Sequence, residues 1–219
     1  MGGVRAGILL HEALWRENRD LAAACLQHPF VSGLADGTLP LQAFQRYVGQ
    51  DVFFLQAFAR AYALAAARSP DLETLNAFRE LLNAVAQELG LHARYSQTLG
   101  IDLQTVQPYA ATKAYTDFLL ATAWQSPLDE TIAAMTPCMR LYAFLGRELA
   151  QQAPPSSRAS HPYRDWIETY SGPDFHSSAA RLEGLLDRLG TDRATVREAY
   201  RYAMQCELQF FSAPLEAIP

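Results

Sequence analysis

From Pro40 to about Ser69 the chain carries its apolar residues at helical spacing, roughly 30 residues or about 45 Å of helix. Phe44, Tyr47, Val48, Phe54, Leu55, Phe58 and Tyr62 fall on one face, and Asp51 falls among them. A stripe this long must be buried against other helices. No stretch of sustained strand alternation appears elsewhere in the 219 residues. The pattern therefore predicts an all-α, single-domain helical bundle over residues 1–219, with long helices packed side by side.

The other segments fit that plan. Residues from about 8 to 28 read as a first helix ended by His28-Pro29, and Asp36-Gly37-Thr38 reads as a turn before Pro40. After Ser69-Pro70-Asp71 a third helix runs to about Leu99, and Gly100 to Pro108 reads as loop. Helices follow over about 109–125 and from Ser126 to about Gln151. Ala153-Pro154-Pro155-Ser156-Ser157 reads as a short flexible loop. A segment opened by His161-Pro162 carries Trp166, Ile167 and Tyr170, a helix spans about 174–189, and the last helix carries Val196, Tyr200, Met204, Glu207, Phe210 and Phe211.

Composition narrows the chemistry. Half the residues are apolar and 19% are charged, enough for a core and too few for disorder. A net charge of −5 with no basic block argues against a nucleic-acid partner. Lys113 is the only lysine, which argues against pyridoxal phosphate chemistry. The three cysteines, Cys25, Cys138 and Cys206, lack metal or framework spacing and suit a reducing, cytoplasmic setting. The opening residues are not patterned as a signal peptide, and no apolar run reaches the roughly 20 residues of a membrane span.

Three buried-face positions on three helices carry chemistry-capable groups. Asp51 lies in the aromatic stripe, where an ionised carboxylate must be paired, hydrogen-bonded or protonated. A bond to a buried tyrosine or a helix end accounts for it as well as function does. Cys138 follows Pro137 mid-helix, where the missing N–H predicts a kink just before the thiol. Taken alone, it is a small buried cysteine beside a tolerated proline. Glu207 repeats the oddity of Asp51. Cys206 beside it faces another way and reads as structural. With Tyr115, Tyr142 and Tyr170, these groups suggest an aromatic-walled pocket with a polar floor, suited to a flat nitrogen-rich ring. A thiol needs a base or a positive field to become a nucleophile, and Arg140 points away from Cys138. Glu207 is the available base. Glu88 and His92, four apart, read as a partly exposed i,i+4 pair, without the Glu-x-x-His spacing of di-iron bundles. No metal or cofactor site follows from the spacing of the five histidines.

Seven fragments carry a resemblance over nearly the whole chain. They are His28-Pro29-Phe30, Asp36-Gly37-Thr38-Leu39-Pro40, Tyr47-Val48-Gly49-Gln50-Asp51, Thr112-Lys113-Ala114-Tyr115, Pro137-Cys138-Met139-Arg140-Leu141-Tyr142, His161-Pro162 with Trp166, Ile167 and Tyr170, and Cys206-Glu207-Leu208-Gln209-Phe210-Phe211. In this order the chain resembles the TenA / thiaminase II family, in its cysteine-bearing branch. The resemblance implies a haem-oxygenase-like all-α fold, commonly a homotetramer. It implies a thiamin-salvage hydrolase that converts 4-amino-5-aminomethyl-2-methylpyrimidine to the 5-hydroxymethyl compound and ammonia; some members cleave thiamin. It implies Cys138 as nucleophile, Glu207 as acid and base, Asp51 as the residue holding the pyrimidine amino group, and Tyr115, Tyr142 and Tyr170 as pocket tyrosines. It implies no cofactor. The chain departs from the family at Phe54, where a tyrosine is common, so that a ring face remains and a hydroxyl is lost. Two alternatives stay open: an oxidase on the same fold, and a non-catalytic pyrimidine-binding or regulatory protein.

Overall fold

Asn18 divides what the sequence reads as one helix. The break lies between α1 (Leu10–Glu17) and α2 (Arg19–Leu26) in a computed structural model that describes residues 8–152 and 161–216. Asn18 is buried, and its side chain donates to the Leu14 carbonyl at 2.9 Å while Arg201 donates to its Oδ1 at 3.1 Å. A side-chain amide that bonds nearby backbone competes with the helical ladder, so the chain turns there. His28-Pro29 does not only end a helix. It starts α3 (Pro29–Asp36), with Pro29 in the first turn and the His28 ring accepting from the Phe30 N–H at 3.2 Å. The turn at Asp36-Gly37-Thr38 holds: Gly37 has φ +78°, and the Thr38 N–H donates to Asp36 Oδ1 at 2.9 Å. Expectations for residues 1–7 and for 153–157 lie outside the described residues.

Two long helices on each side of the site do most of the positioning. α4 (Leu41–Ala67) packs on α5 (Leu72–Thr98) and on α6 (Ala110–Gln125). α7 (Leu128–Gln152) packs on α8 (Arg164–Ser171), α9 (Pro173–Leu189) and α10 (Ala194–Ser212). Among the described residues there is no strand, and no helix is long and apolar enough to cross a membrane. The all-α expectation therefore holds. α7 runs unbroken through Pro137, and the Thr136 hydroxyl donates to the Ile132 carbonyl at 2.7 Å beside it. α8 lies close on α7 because Gly146 leaves room: a Cβ there would stand 2.3 Å from the Tyr170 carbonyl carbon. Gln50, buried on α4, ties down the start of α6. Its amide donates to the Gln107 carbonyl at 3.0 Å, and its oxygen accepts from the Tyr109 N–H at 2.8 Å and the Thr112 hydroxyl at 2.7 Å. That clamp delivers Tyr115, one turn beyond Thr112, to the interior.

Candidate active site

The thiol of Cys138 and the carboxyl of Glu207 meet. Cys138 donates a hydrogen bond to Glu207, and the Tyr115 hydroxyl donates to Glu207 Oε1 at 2.7 Å. Glu207 and Tyr115 are buried, and Cys138 keeps 9% of its surface exposed. α6, α7 and α10 thus each supply one member of a hydrogen-bonded chain. Phe54 contributes its ring face, with its centroid 4.8 Å from that of Tyr115 and 5.8 Å from that of Phe210.

Tyr142 and Tyr170 close the opposite wall, edge to face with centroids 4.8 Å apart. Trp166 joins them, its centroid 4.6 Å from that of Tyr170. The hydroxyl of Tyr47 donates to that of Tyr142 at 3.2 Å. The structure therefore brings all seven sequence-derived positions, Asp51, Phe54, Tyr115, Cys138, Tyr142, Tyr170 and Glu207, into one buried aromatic region of five helices.

Two neighbours of this region correct the sequence reading. Glu88 keeps the partial exposure expected of the pair, but each of the two side chains bonds to another helix. His92 is buried, and its Nε2 lies 2.5 Å from Asp51 Oδ2. The partner of Asp51 is thus a histidine, neither a tyrosine nor a helix end. Glu88 accepts a hydrogen bond from the Tyr170 hydroxyl at 2.7 Å. The two side chains are spaced for an i,i+4 bond, but the Asp51 carboxyl on α4 and the Tyr170 hydroxyl on α8 take them instead. A signal was present in the sequence: both sit on the face of α5 that carries Phe78 and Val85, so a charged pair there faces the core.

Burial governs the ionisation of the region. It raises Glu207 to about 7, against the lowering effect of the bonds from Tyr115 and Cys138. Burial raises Glu88 to about 7 as well, opposed by the bond from Tyr170. Asp51 rises through burial first, then through the charges of Glu88 and Glu207. Burial lowers His92 to about 4. Asp51 and His92 each favour the neutral form, so one proton shared across a short bond describes them better than an ion pair. The Cys138 thiol is pushed well above its usual range by burial, then by the carboxylates Glu207, Glu88 and Asp51. Among the described residues no cation offsets this. Arg140 instead pairs with Glu183 at 3.2 Å and lies over the Trp15 ring at 5.0 Å. Among the described residues, no three His, Cys, Asp or Glu side chains converge in a way that could hold a metal ion. A thiol in such a place reacts only if its proton is removed as its sulfur forms a bond, and Glu207 is the carboxyl next to it.

The sequence profile of the TENA/THI-4/PQQC family matches residues 15–217. This chain belongs to that family. Among its TENA/THI-4/PQQC relatives, a bifunctional TH2 protein, mitochondrial, of Arabidopsis thaliana is 36% identical over 230 residues. The match takes in 94% of this chain and 37% of the plant protein, so the chain spans little more than a third of that relative. An aminopyrimidine aminohydrolase of Halalkalibacterium halodurans is 36% identical over 180 residues, covering 80% of this chain and 79% of that protein. The crystal structure of a TenA family transcription regulator from Silicibacter has a TM-score of 0.87 at 31% identity, over 94% of this chain and 96% of that one. Haem oxygenase-1 of the cyanobacterium Synechocystis, in complex with haem, has a TM-score of 0.63 at 18% identity over 94% and 92% of the two chains, a likeness of fold.

Proposed function

We propose that the protein is a thiamin-salvage hydrolase that releases ammonia from 4-amino-5-aminomethyl-2-methylpyrimidine and leaves the 5-hydroxymethyl pyrimidine. The observation that carries this reading is the chain Tyr115–Glu207–Cys138, a thiol bonded to a carboxyl that burial has brought to about 7. Relatives that bear the name aminopyrimidine aminohydrolase support the substrate class. Thiamin, which carries a thiazolium in place of the amine, is the second substrate to test.

The mechanism uses the site as follows. Glu207, as carboxylate, takes the thiol proton while Cys138 Sγ bonds the ring carbon next to the substituted one. The displaced π pair moves to the substituted carbon and expels the amine from the 5-methylene, forming an exocyclic double bond. Glu207 gives its proton to the departing amine. Water then adds to the methylene and passes a proton to Glu207. The electron pair returns to the ring, the C–S bond breaks, and the thiolate recovers the proton. The balance is one water consumed and one ammonia released. Asp51, held by His92, accepts from the amino-pyrimidine edge, while Tyr115, Tyr142, Tyr170 and the Phe54 face keep the ring in register. Cys138→Ser is expected to abolish ammonia release from the aminomethyl pyrimidine while retaining ligand binding. Full turnover in that variant would sink the covalent step. Absence of ammonia release by the unaltered protein across a panel of 5-substituted aminopyrimidines and thiamin would sink the hydrolase reading.

A further inference from the structure

A second space opens beside the thiol. A cavity of about 380 Å³ lies between α4, α5, α7 and the α8–α9 junction. Its inner wall is Tyr62, Leu81, Val85 and Met139, all buried. Its rim is formed by exposed residues of the junction, Glu168 and Asp174 among them. Glu88 lines it as well, and although enclosed by protein it keeps accessible surface there. The cavity is therefore a route from solvent to the residue after Cys138.

Two independent features mark it as a binding space. The first is the hydroxyl of Tyr62, which is fully buried in the cavity wall and has no hydrogen-bond partner in the structure. A buried hydroxyl left unpaired is destabilising, a penalty that a ligand group placed there removes. The second is the sign of the lining. Glu88, Glu168 and Asp174 contribute carboxyls, and among the described residues no Lys, Arg or His lines the cavity. Arg164, near Glu168, lies outside the lining, at 3.8 Å from that carboxylate. Tyr62 shares the lining with Glu88 and with Met139, the residue after Cys138, and it lies near enough to the thiol and to Glu88 for their ionised forms to add to burial in raising its pKa.

We propose that this cavity is the subsite for the substituent that leaves the pyrimidine, that it takes cationic substituents and rejects anionic ones, and that Glu88 is the residue that selects them. The proposal rests on the pyrimidine-hydrolase reading above. Tyr170 donates to Glu88 at 2.7 Å and so ties the selecting carboxyl to the wall of the ring site. An ammonium or a thiazolium on the 5-methylene meets Glu88 and the unpaired Tyr62 hydroxyl. A phosphorylated substituent brings negative charge to a rim that already carries it, and like charges repel. The size fits too, since pockets for small ligands begin at about 300 Å³.

The test measures equilibrium affinity in the Cys138→Ser background, where binding is read apart from turnover. The probes are the 5-aminomethyl and 5-hydroxymethyl pyrimidines, thiamin and thiamin monophosphate. The aminomethyl compound is expected to bind about tenfold or more tighter than the neutral hydroxymethyl one, as a charged hydrogen bond allows. Thiamin is expected to bind at least about tenfold tighter than its monophosphate. Glu88→Gln is expected to bring the first pair to within about threefold of each other. An unchanged ratio in Glu88→Gln overturns the proposal and leaves the hydrolase reading standing. Ala84→Phe, which fills the cavity, keeps the test decisive if Glu88→Gln does not fold. It is expected to weaken thiamin relative to the hydroxymethyl compound by about tenfold or more. No relative loss there also overturns the subsite. Failure of every probe to bind overturns the pyrimidine reading, and the subsite falls with it.

Discussion

Glu207 and Asp51 are costly residues to bury, and the cost has a measurable sign. Glu207 ionises near 4.5 when solvated and near 7 in the fold. The folded chain binds a proton more readily than the unfolded one, so this group's contribution to stability is full below about 4.5, falls as pH rises, and is lost above about 7. A shift of this size corresponds to about 3 kcal/mol. Glu207→Gln is therefore expected to raise stability at pH 8 by up to that amount and to leave it nearly unchanged at pH 4, as read by urea unfolding at both values. In the proposed mechanism the same variant has no base for the thiol proton, so ammonia release is expected to fall by about 10²–10⁴. In the unaltered protein, kcat/KM is expected to rise with pH through about 7 as Glu207 becomes carboxylate. A rate that is flat from pH 5 to 9 would remove Glu207 from that role. Asp51 has His92 as its buried hydrogen-bond partner. His92→Leu is expected to cost about 1–3 kcal/mol and to weaken pyrimidine binding, with His92→Gln losing less because it keeps a hydrogen-bonding group.

At the scale of the helix, one glycine decides whether Tyr170 reaches the site. Gly146 on α7 sits against the backbone of Tyr170 and Ser171, and a Cβ would come within 2.3 Å of it. Backbone cannot rotate away as a side chain can, so Gly146→Ala must push α8 outward. It is expected to cost about 1–3 kcal/mol and to loosen the Tyr170–Glu88 bond, read as a drop in Tm together with weaker pyrimidine binding. Gly184 is the matched control. It is exposed within α9, and nothing lies within 4 Å of its Cβ position. Gly184→Ala is expected to stabilise by about 0.5–1 kcal/mol with activity unchanged. Asn18 teaches the complementary lesson about element boundaries. The apolar spacing from about residue 8 to 28 continues across it, so periodicity alone reads one helix. The break depends on what the amide bonds, and Arg201, one of its partners, arrives from α10.

Across the whole molecule, the ring site gathers side chains from α4, α6, α7, α8 and α10, with α5 behind them, so occupying it couples these helices. A ligand that binds only the folded state at 100 times its Kd adds about 2.7 kcal/mol. The 5-hydroxymethyl pyrimidine is therefore expected to raise Tm in the unaltered protein and in Cys138→Ser, and to do so much less in Asp51→Asn. Helical periodicity was enough to establish the all-α architecture, because burial of one face repeats every 3.6 residues wherever a helix packs. It was also enough to single out Asp51, Cys138 and Glu207, since polar groups on apolar stripes violate that pattern. Periodicity assigns a residue to a face but not to a partner. It left Asp51 without its histidine, and it read Glu88 and His92 as a pair. Only the packing of α5 on α4 and the seating of α8 on Gly146 decided those partners. Hydrogen bonds form between atoms that are close in space, and residues 41 or 82 positions apart become close only when the helices have docked.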